Sequence, residues 1–164
     1  QGSIIAELTE KDMGYGGRFV ARDMRLLQMP LLGALLNAVS IVGLFDQLSF
    51  DGIAFSEVEG EFYFTESEFI LTRASATGPS IGLSLDGRFD FETEELDLQG
   101  VLTPVYLVNG IGELLTRKGE GVIGFNYTVT GNADDPQISV NPLSALTPSI
   151  FRDLFRRPAP DAPE

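Results

Sequence analysis

The sequence predicts a mainly β domain of the α+β class: a curved antiparallel β-meander that forms a groove, with one apolar helix covering its dry face and a short C-terminal helix. Three observations predict this fold. Most of the 164 residues belong to segments that alternate apolar and polar types, as half-buried strands do. Turn residues separate these segments, and one long segment is apolar on nearly every side, as a buried helix is. This length favours one domain, which we place at residues 1–157, followed by a disordered Pro-rich tail at 158–164.

Strand-like segments occur on both sides of the apolar segment. Turn signals separate most of them, at Glu59-Gly60, Glu66-Ser67, Gly78-Pro79, Glu92 to Glu94 and Ala133 to Pro136. Because short connections imply antiparallel neighbours, we expect a meander of about eight strands. The expected strands are SIIAELTE, GRFVARD, IAFSEVEG, EFYFT, EFILTRASA, SIGLSLDGRFDF, ELDLQGVLTP and VIGFNYTVTG.

The clearest strand lies at residues 81–91, where each odd position is apolar or glycine and most even positions are polar. Alternate side chains of a strand point to opposite faces, so this strand has one dry face and one wet face. The next two strands alternate in the same way and should extend the dry face. The residues expected to form an apolar groove are Ile81, Leu83, Leu85, Phe89, Phe91, Leu96, Leu98, Phe125 and Tyr127.

The apolar segment runs from Met29 to Phe45 without a charged residue. It is shorter than the roughly 20 residues that a membrane-spanning helix needs, and Pro30, Gly33 and Gly43 interrupt it. Three interpretations stay open: a helix in a soluble core, a helix that contacts acyl chains, and a membrane span. The apolar residues expected on this helix are Leu31, Leu32, Leu35, Leu36, Val39 and Val42.

A second helix is expected at residues 148–157, where Thr147 suits the N-cap and Pro148 the first helical position. Its arginines lie in the last turns, where they complement the helix dipole. The helix either caps the end of the sheet or acts as a docking tip, with its apolar side chains in a membrane interface near anionic headgroups. The residues of this tip are Ile150, Phe151, Leu154, Phe155, Arg152, Arg156 and Arg157.

The composition excludes several classes of function. The chain has no histidine and no cysteine, so neither an ordinary catalytic triad nor a usual zinc site can form. Its net charge is −13, which repels phosphate backbones and argues against nucleic-acid binding. The acidic cluster from Asp90 to Asp97 lacks the spacing of a calcium loop. We therefore predict no cofactor, no metal site and no enzymatic activity.

Three stretches carry a resemblance to a known family: MPLLGALLNAVSIVGLFDQLSFDGIAFSEVEGEFYF, ASATGPSIGLSLDGRFDFETEELDLQGVLTPVYLVN and GEGVIGFNYTVTGNADDPQISVNPLSALTPSIFRDLF. Their motifs are Gly78-Pro79-Ser80 before a strand, Asn109 after TPVY, and Asn141-Pro142-Leu143-Ser144 before the terminal helix. In order and content they resemble the C-terminal region of the AsmA-like proteins (AsmA, YhdP and TamB type, a bridge-like lipid transport family), in its alphaproteobacterial form. The resemblance covers roughly residues 4–157.

The resemblance implies a location and a function. Members of this family are anchored in the inner membrane by an N-terminal helix, extend through the periplasm as a long curved β-sheet with an apolar groove, and are implicated in moving phospholipid to the outer membrane. This chain would be the periplasmic C-terminal module of such an envelope-spanning protein, conducting or binding phospholipid acyl chains in the groove. The alternative is a non-catalytic docking module with a closed core, which tethers the parent protein to an outer-membrane or other envelope partner. An exposed first edge of the sheet would also allow a homo-oligomer.

Overall fold

The computed structural model describes residues 2–27, 34, 35, 38, 53–79, 81–104, 124–146 and 156–163. Eight strands form one sheet in which every neighbouring pair is antiparallel and the strand order follows the chain. The predicted mainly β antiparallel meander is confirmed. The strands are β1 (Ser3–Lys11), β2 (Gly14–Leu26), β3 (Ile53–Phe64), β4 (Glu68–Thr77), β5 (Ile81–Asp90), β6 (Glu95–Pro104), β7 (Phe125–Asn132) and β8 (Gln137–Asn141), and a 3-10 helix follows at Pro142–Leu146.

The number of strands agrees with the prediction, although one predicted turn is absent and one strand was not predicted. The turn predicted at Glu59-Gly60 is wrong, because β3 runs continuously through it. Gly60 is needed there for packing: the ring of Phe19 lies over it, and a Cβ atom on Gly60 would stand 2.7 Å from that ring. The last strand, β8, has only five residues and was not among the predicted strands, because so short an alternation is a weak signal.

No continuous helix corresponding to the predicted apolar helix is seen among the described residues. Of its six expected apolar residues only Leu35 is described; its backbone is helical, as are those of Ala34 and Ala38, and the other five lie outside the described residues. The predicted C-terminal helix also lies largely outside them, and its two described residues, Arg156 and Arg157, are not helical. No helix in the described ranges is long and apolar enough to span a bilayer.

The core lies at one end of the sheet, where the β2–β3 and β6–β7 connections leave it. We call this the closed end. Leu35, from the β2–β3 connection, packs there against the strands and is only 4% exposed. Burial of an aliphatic or aromatic side chain contributes roughly 1.5–3 kcal/mol, so this cluster is a main source of stability. Its buried members are Leu35, Ile53, Phe55, Ile81, Leu102, Tyr127 and Val129.

Candidate functional site

One face of the sheet is apolar across all eight strands. Directly opposed residues of antiparallel strands project from the same face, so Leu83, Leu102 and Phe125 share a face because each lies opposite the next. The same register carries this apolar face from β1 to β8, with Glu10, opposite Tyr15, as a charged residue at its β1 edge. It consists of Ile4, Ala6, Leu8, Tyr15, Gly17, Phe19, Ala21, Val58, Gly60, Phe62, Phe64, Phe69, Leu71, Ala74, Ala76, Ile81, Leu83, Leu85, Gly87, Phe89, Leu96, Leu98, Gly100, Leu102, Phe125, Tyr127, Val129, Ile138 and Val140.

The structure brings the predicted groove residues together. Ile81, Leu83, Leu85 and Phe89 of β5 lie on the apolar face together with Leu96 and Leu98 of β6 and Phe125 and Tyr127 of β7. Phe91 follows β5, and its ring stacks on that of Phe64, with centroids 6.3 Å apart and planes 9° apart. All nine residues therefore border one continuous surface.

Sequence reasoning missed the half of the apolar face that β1 to β4 supply. A β-bulge in β4 hides part of it, because the pairing with both neighbouring strands shifts between Leu71 and Ala74. Thr72, within this bulge, donates its hydroxyl to the Glu61 carbonyl oxygen at 3.0 Å. The extra residue breaks the period of two. The alternation of aromatic residues from Phe62 to Phe69 is the signal that could have located this half.

The end of the apolar face opposite the core we call the open end; the β1–β2, β3–β4 and β5–β6 turns lie there. It carries an aromatic cluster in which contacting ring centroids are 4.9–6.3 Å apart, a normal range for aromatic pairs. Phe64 and Phe91 remain 39% and 41% exposed. Contiguous exposed apolar surface is typical of binding sites. The aromatic cluster comprises Phe19, Phe62, Phe64, Phe69, Phe89 and Phe91.

Glycines allow aromatic rings to lie across the neighbouring strand. Gly17 is opposite Phe62, and a Cβ atom on Gly17 would stand 2.6 Å from the Phe62 ring. Gly100 is opposite Tyr127, and a Cβ atom there would stand 2.0 Å from the Ser84 carbonyl oxygen. The Tyr127 hydroxyl donates a hydrogen bond to that same carbonyl at 2.9 Å. These rings therefore lie over the backbone of the neighbouring strand.

The opposite face of the sheet, which we call the polar face, carries cross-strand ion pairs. Most join directly opposed residues of neighbouring strands, and their side chains are largely exposed, so each pair contributes about 0–1 kcal/mol. They neutralise part of the charge on this face. The pairs are Arg18–Glu7 at 2.7 Å, Arg22–Glu57 at 3.1 Å, Arg73–Glu61 at 2.8 Å and Arg88–Glu68 at 3.3 Å.

The C-terminal segment is bound to the polar face of β5 and β6. The guanidinium of Arg156 pairs with the carboxylate of Asp86. The side-chain amide of Gln99 donates to the Arg157 carbonyl at 2.8 Å, and the Arg157 backbone N–H donates to the Gln99 amide oxygen at 3.2 Å. The expectation of a solvated wet face is therefore wrong at this point, since Asp86 and Gln99 are both buried.

The predicted docking tip is described only at its last two residues. Arg156 and Arg157 are both committed to carboxylates of the sheet, Arg157 to Asp97 at 2.5 and 2.7 Å. They hold this segment against the polar face of β5 and β6, and whether the preceding residues form the predicted cap or docking tip lies outside the described residues. The other tip residues, Ile150, Phe151, Arg152, Leu154 and Phe155, lie outside the described residues.

The pKa values of two carboxylates on the polar face are lowered. The hydrogen bonds from the Arg157 guanidinium hold the pKa of Asp97 below its usual value, and the same contact raises the pKa of Arg157. At the β5–β6 turn, the backbone N–H of Thr93 donates to Asp90 at 2.8 Å and lowers the pKa of that carboxyl. No group of three acidic side chains within the described part of the chain is arranged to hold a metal ion.

Comparisons with protein-family models, with curated proteins and with solved structures gave no match. The functional argument therefore depends on the apolar face itself. This surface is continuous and one-sided, buried under Leu35 at the closed end and exposed around Phe64 and Phe91 at the open end. Such a surface can shelter a hydrocarbon chain from water.

Proposed function

We propose that this chain is the C-terminal module of an AsmA-like envelope-spanning protein, and that it binds or conducts phospholipid acyl chains on its apolar face. The observation that supports this most is the open end of that face. Phe64 and Phe91 present aromatic surface to solvent there, although their neighbours in the aromatic cluster pack well. A surface built from side chains of eight strands and left uncovered at one end suits an elongated apolar ligand.

The dimensions and energetics of the apolar face favour an acyl chain. A ten-residue strand such as β5 spans roughly 33 Å, so a fatty acyl chain lying along the strand direction fits within the sheet. Each methylene group removed from water contributes about 0.8 kcal/mol. Because the ion pairs lie on the polar face, the apolar face is the one on which a hydrocarbon chain would bind.

The second candidate is a docking module that tethers the parent protein to an envelope partner. The closed end favours it, because Leu35 and its neighbours form a buried core. In this case the aromatic cluster would be the contact surface for a protein partner. Whether the purified protein carries bound lipid distinguishes the two candidates.

The decisive experiment is native mass spectrometry on protein purified without detergent, before and after incubation with phosphatidylethanolamine and phosphatidylglycerol liposomes. The lipid-binding proposal expects phospholipid adducts. A clean apo mass together with no uptake from liposomes overturns it and leaves the docking module.

Adjacent residues of β3 provide matched variants. Phe64 lies on the apolar face and Tyr63 on the polar face. Phe64→Ser should reduce the lipid adducts severalfold while the far-ultraviolet circular dichroism stays unchanged, and Tyr63→Ser should leave the adducts intact. Equal losses in both variants would mean that lipid does not bind on the apolar face.

A further inference from the structure

The turns at the open end of the sheet carry only acidic charge. They lie at residues 12–13, 65–67, 91–94 and 133–136, and the last two are joined by a hydrogen bond of 2.9 Å from the Ala133 backbone N–H to the Glu94 carbonyl oxygen. None of these turns contains a lysine or an arginine. Together with the last glutamate of β1 they form what we call the acidic rim: Glu10, Asp12, Glu66, Glu92, Glu94, Asp134 and Asp135.

The carboxylates of the acidic rim differ from those of the polar face in having no counter-charge. On the polar face, Glu7, Glu57 and Glu61 pair with arginines of neighbouring strands. No carboxylate of the acidic rim forms an ion pair with any residue that the structure describes. A concave surface lined by charges of one sign concentrates ions of the opposite sign, so the open end attracts cations.

A cavity at the open end joins the acidic rim to the apolar face. Its volume is about 950 Å³, which is within the range of small-molecule sites. Tyr15 and Phe64 line it and lie directly opposite each other on the apolar face. Glu10, which also lines the cavity, lies opposite Tyr15. The cavity therefore presents exposed aromatic rings and unpaired carboxylates together, and an ammonium group is attracted by both.

We propose that the open end receives the ammonium group of a zwitterionic phospholipid such as phosphatidylethanolamine, and disfavours anionic phospholipids. This inference rests on the proposed lipid binding and adds a preference for one class of head group. When the acyl chain lies on the apolar face, the head group stays in water at the exposed end of that face, where the acidic rim lies. A head group with a net negative charge meets like charge there.

The lining of the cavity also suits the phosphate of such a lipid. In a zwitterionic phospholipid the phosphate lies between the acyl chains and the ammonium group. Of the described residues that line the cavity, Lys11 alone is basic. Lys11 pairs with the phosphate while the ammonium group of the lipid reaches the carboxylates beyond it. Phosphatidylglycerol has the same phosphate but no ammonium group, so it leaves the acidic rim without a partner.

Lipid competition tests the preference. The protein is incubated with liposomes containing equal amounts of dioleoyl phosphatidylethanolamine and dioleoyl phosphatidylglycerol and re-isolated, and the lipid extracted from it is quantified by mass spectrometry. Because the acyl chains are identical, only the head groups differ. Phosphatidylethanolamine should exceed phosphatidylglycerol severalfold. The excess should fall in sodium chloride at about 1 M, where charges are screened within roughly 3 Å.

The outcomes distinguish this inference from the lipid binding on which it rests. Equal amounts of the two bound lipids would overturn the head-group preference and leave the lipid binding intact. An excess that does not change at high salt would overturn its electrostatic origin. A protein that takes up neither lipid would overturn both proposals.

Two double variants with the same change of net charge locate the preference. Glu10→Gln combined with Glu92→Gln removes two carboxylates of the acidic rim, and should lower the ratio of bound phosphatidylethanolamine to phosphatidylglycerol severalfold. Glu7→Gln combined with Glu61→Gln removes two exposed carboxylates of the polar face, and should leave the ratio unchanged. Far-ultraviolet circular dichroism checks that both proteins are folded. An equal fall in the two variants would assign the preference to overall charge and overturn the proposal, as would an unchanged ratio in the first.

Discussion

Arg156 and Asp86 form an ion pair that is buried on the polar face, with both side chains only 7% exposed. Gln99 supports it by donating from its amide nitrogen to the Asp86 carboxylate at 2.8 Å. The other ion pairs of this face are largely exposed. The Arg156–Asp86 pair is therefore a structural contact, whereas the exposed pairs are surface charges.

Loss of the Asp86 charge should destabilise the domain. Asp86→Asn removes the buried carboxylate that pairs with the guanidinium of Arg156, and we expect the free energy of unfolding to fall by about 3–5 kcal/mol. Urea denaturation measures it. Glu61→Gln is the control, because the Arg73–Glu61 pair is exposed and contributes about 0–1 kcal/mol. Equal urea midpoints for the two variants would contradict a structural role for the Arg156 contact.

Leu35 should act as a core residue. Leu35→Ala removes a buried side chain from the closed end, and we expect a loss of about 2–5 kcal/mol. Leu143→Ala, at a position 69% exposed, should change stability very little. Circular dichroism melts and native mass spectra of the same samples distinguish the alternatives. A Leu35→Ala protein that melts normally but loses bound lipid would place Leu35 on the lipid instead of in the core.

Gly100 should not tolerate a side chain. In Gly100→Ala the new methyl group meets the Ser84 carbonyl oxygen, which is backbone and cannot turn away, so we expect a loss of about 1–3 kcal/mol. Thermal unfolding measures it. Adding Tyr127→Phe removes the hydroxyl but leaves the carbonyl contact, and should relieve only part of the loss. Complete rescue by Tyr127→Phe would show that the hydroxyl alone causes the clash.

The Arg157–Asp97 contact should contribute to stability in a pH-dependent way. Because the pKa of Asp97 is lowered in the folded state from 3.8, its contribution is complete above that value and is lost as the pH falls through the folded pKa. In Arg157→Gln the pKa of Asp97 should rise towards its usual value, which carboxyl NMR titration detects. Asp90 is the internal control, since Thr93 and not Arg157 lowers its pKa. An unchanged pKa of Asp97 would contradict this assignment.

The sequence was most informative where one face is wet and the other dry. The alternation from Ile81 to Phe89 predicted both the strand and its apolar side, because burial of one face imposes a period of two. Gly60 misled the prediction, since the letter that marks a turn also marks a place where a ring must approach the backbone.

The buried part of the polar face could not be predicted from local pattern. Asp86 sits in an ordinary polar position of its strand, and its partner Arg156 comes from 70 residues later in the chain. The bulge at Thr72 similarly hid the aromatic half of the apolar face, because the alternation changes phase there.

The separation of Asp86 from its partner has a consequence for synthesis of the chain. Arg156 lies 70 residues later, while each strand up to β8 pairs only with its neighbours in sequence. During translation the meander can therefore assemble hairpin by hairpin, with the Asp86 carboxylate still hydrated. The desolvation of that charge is deferred until Arg156 has left the ribosome.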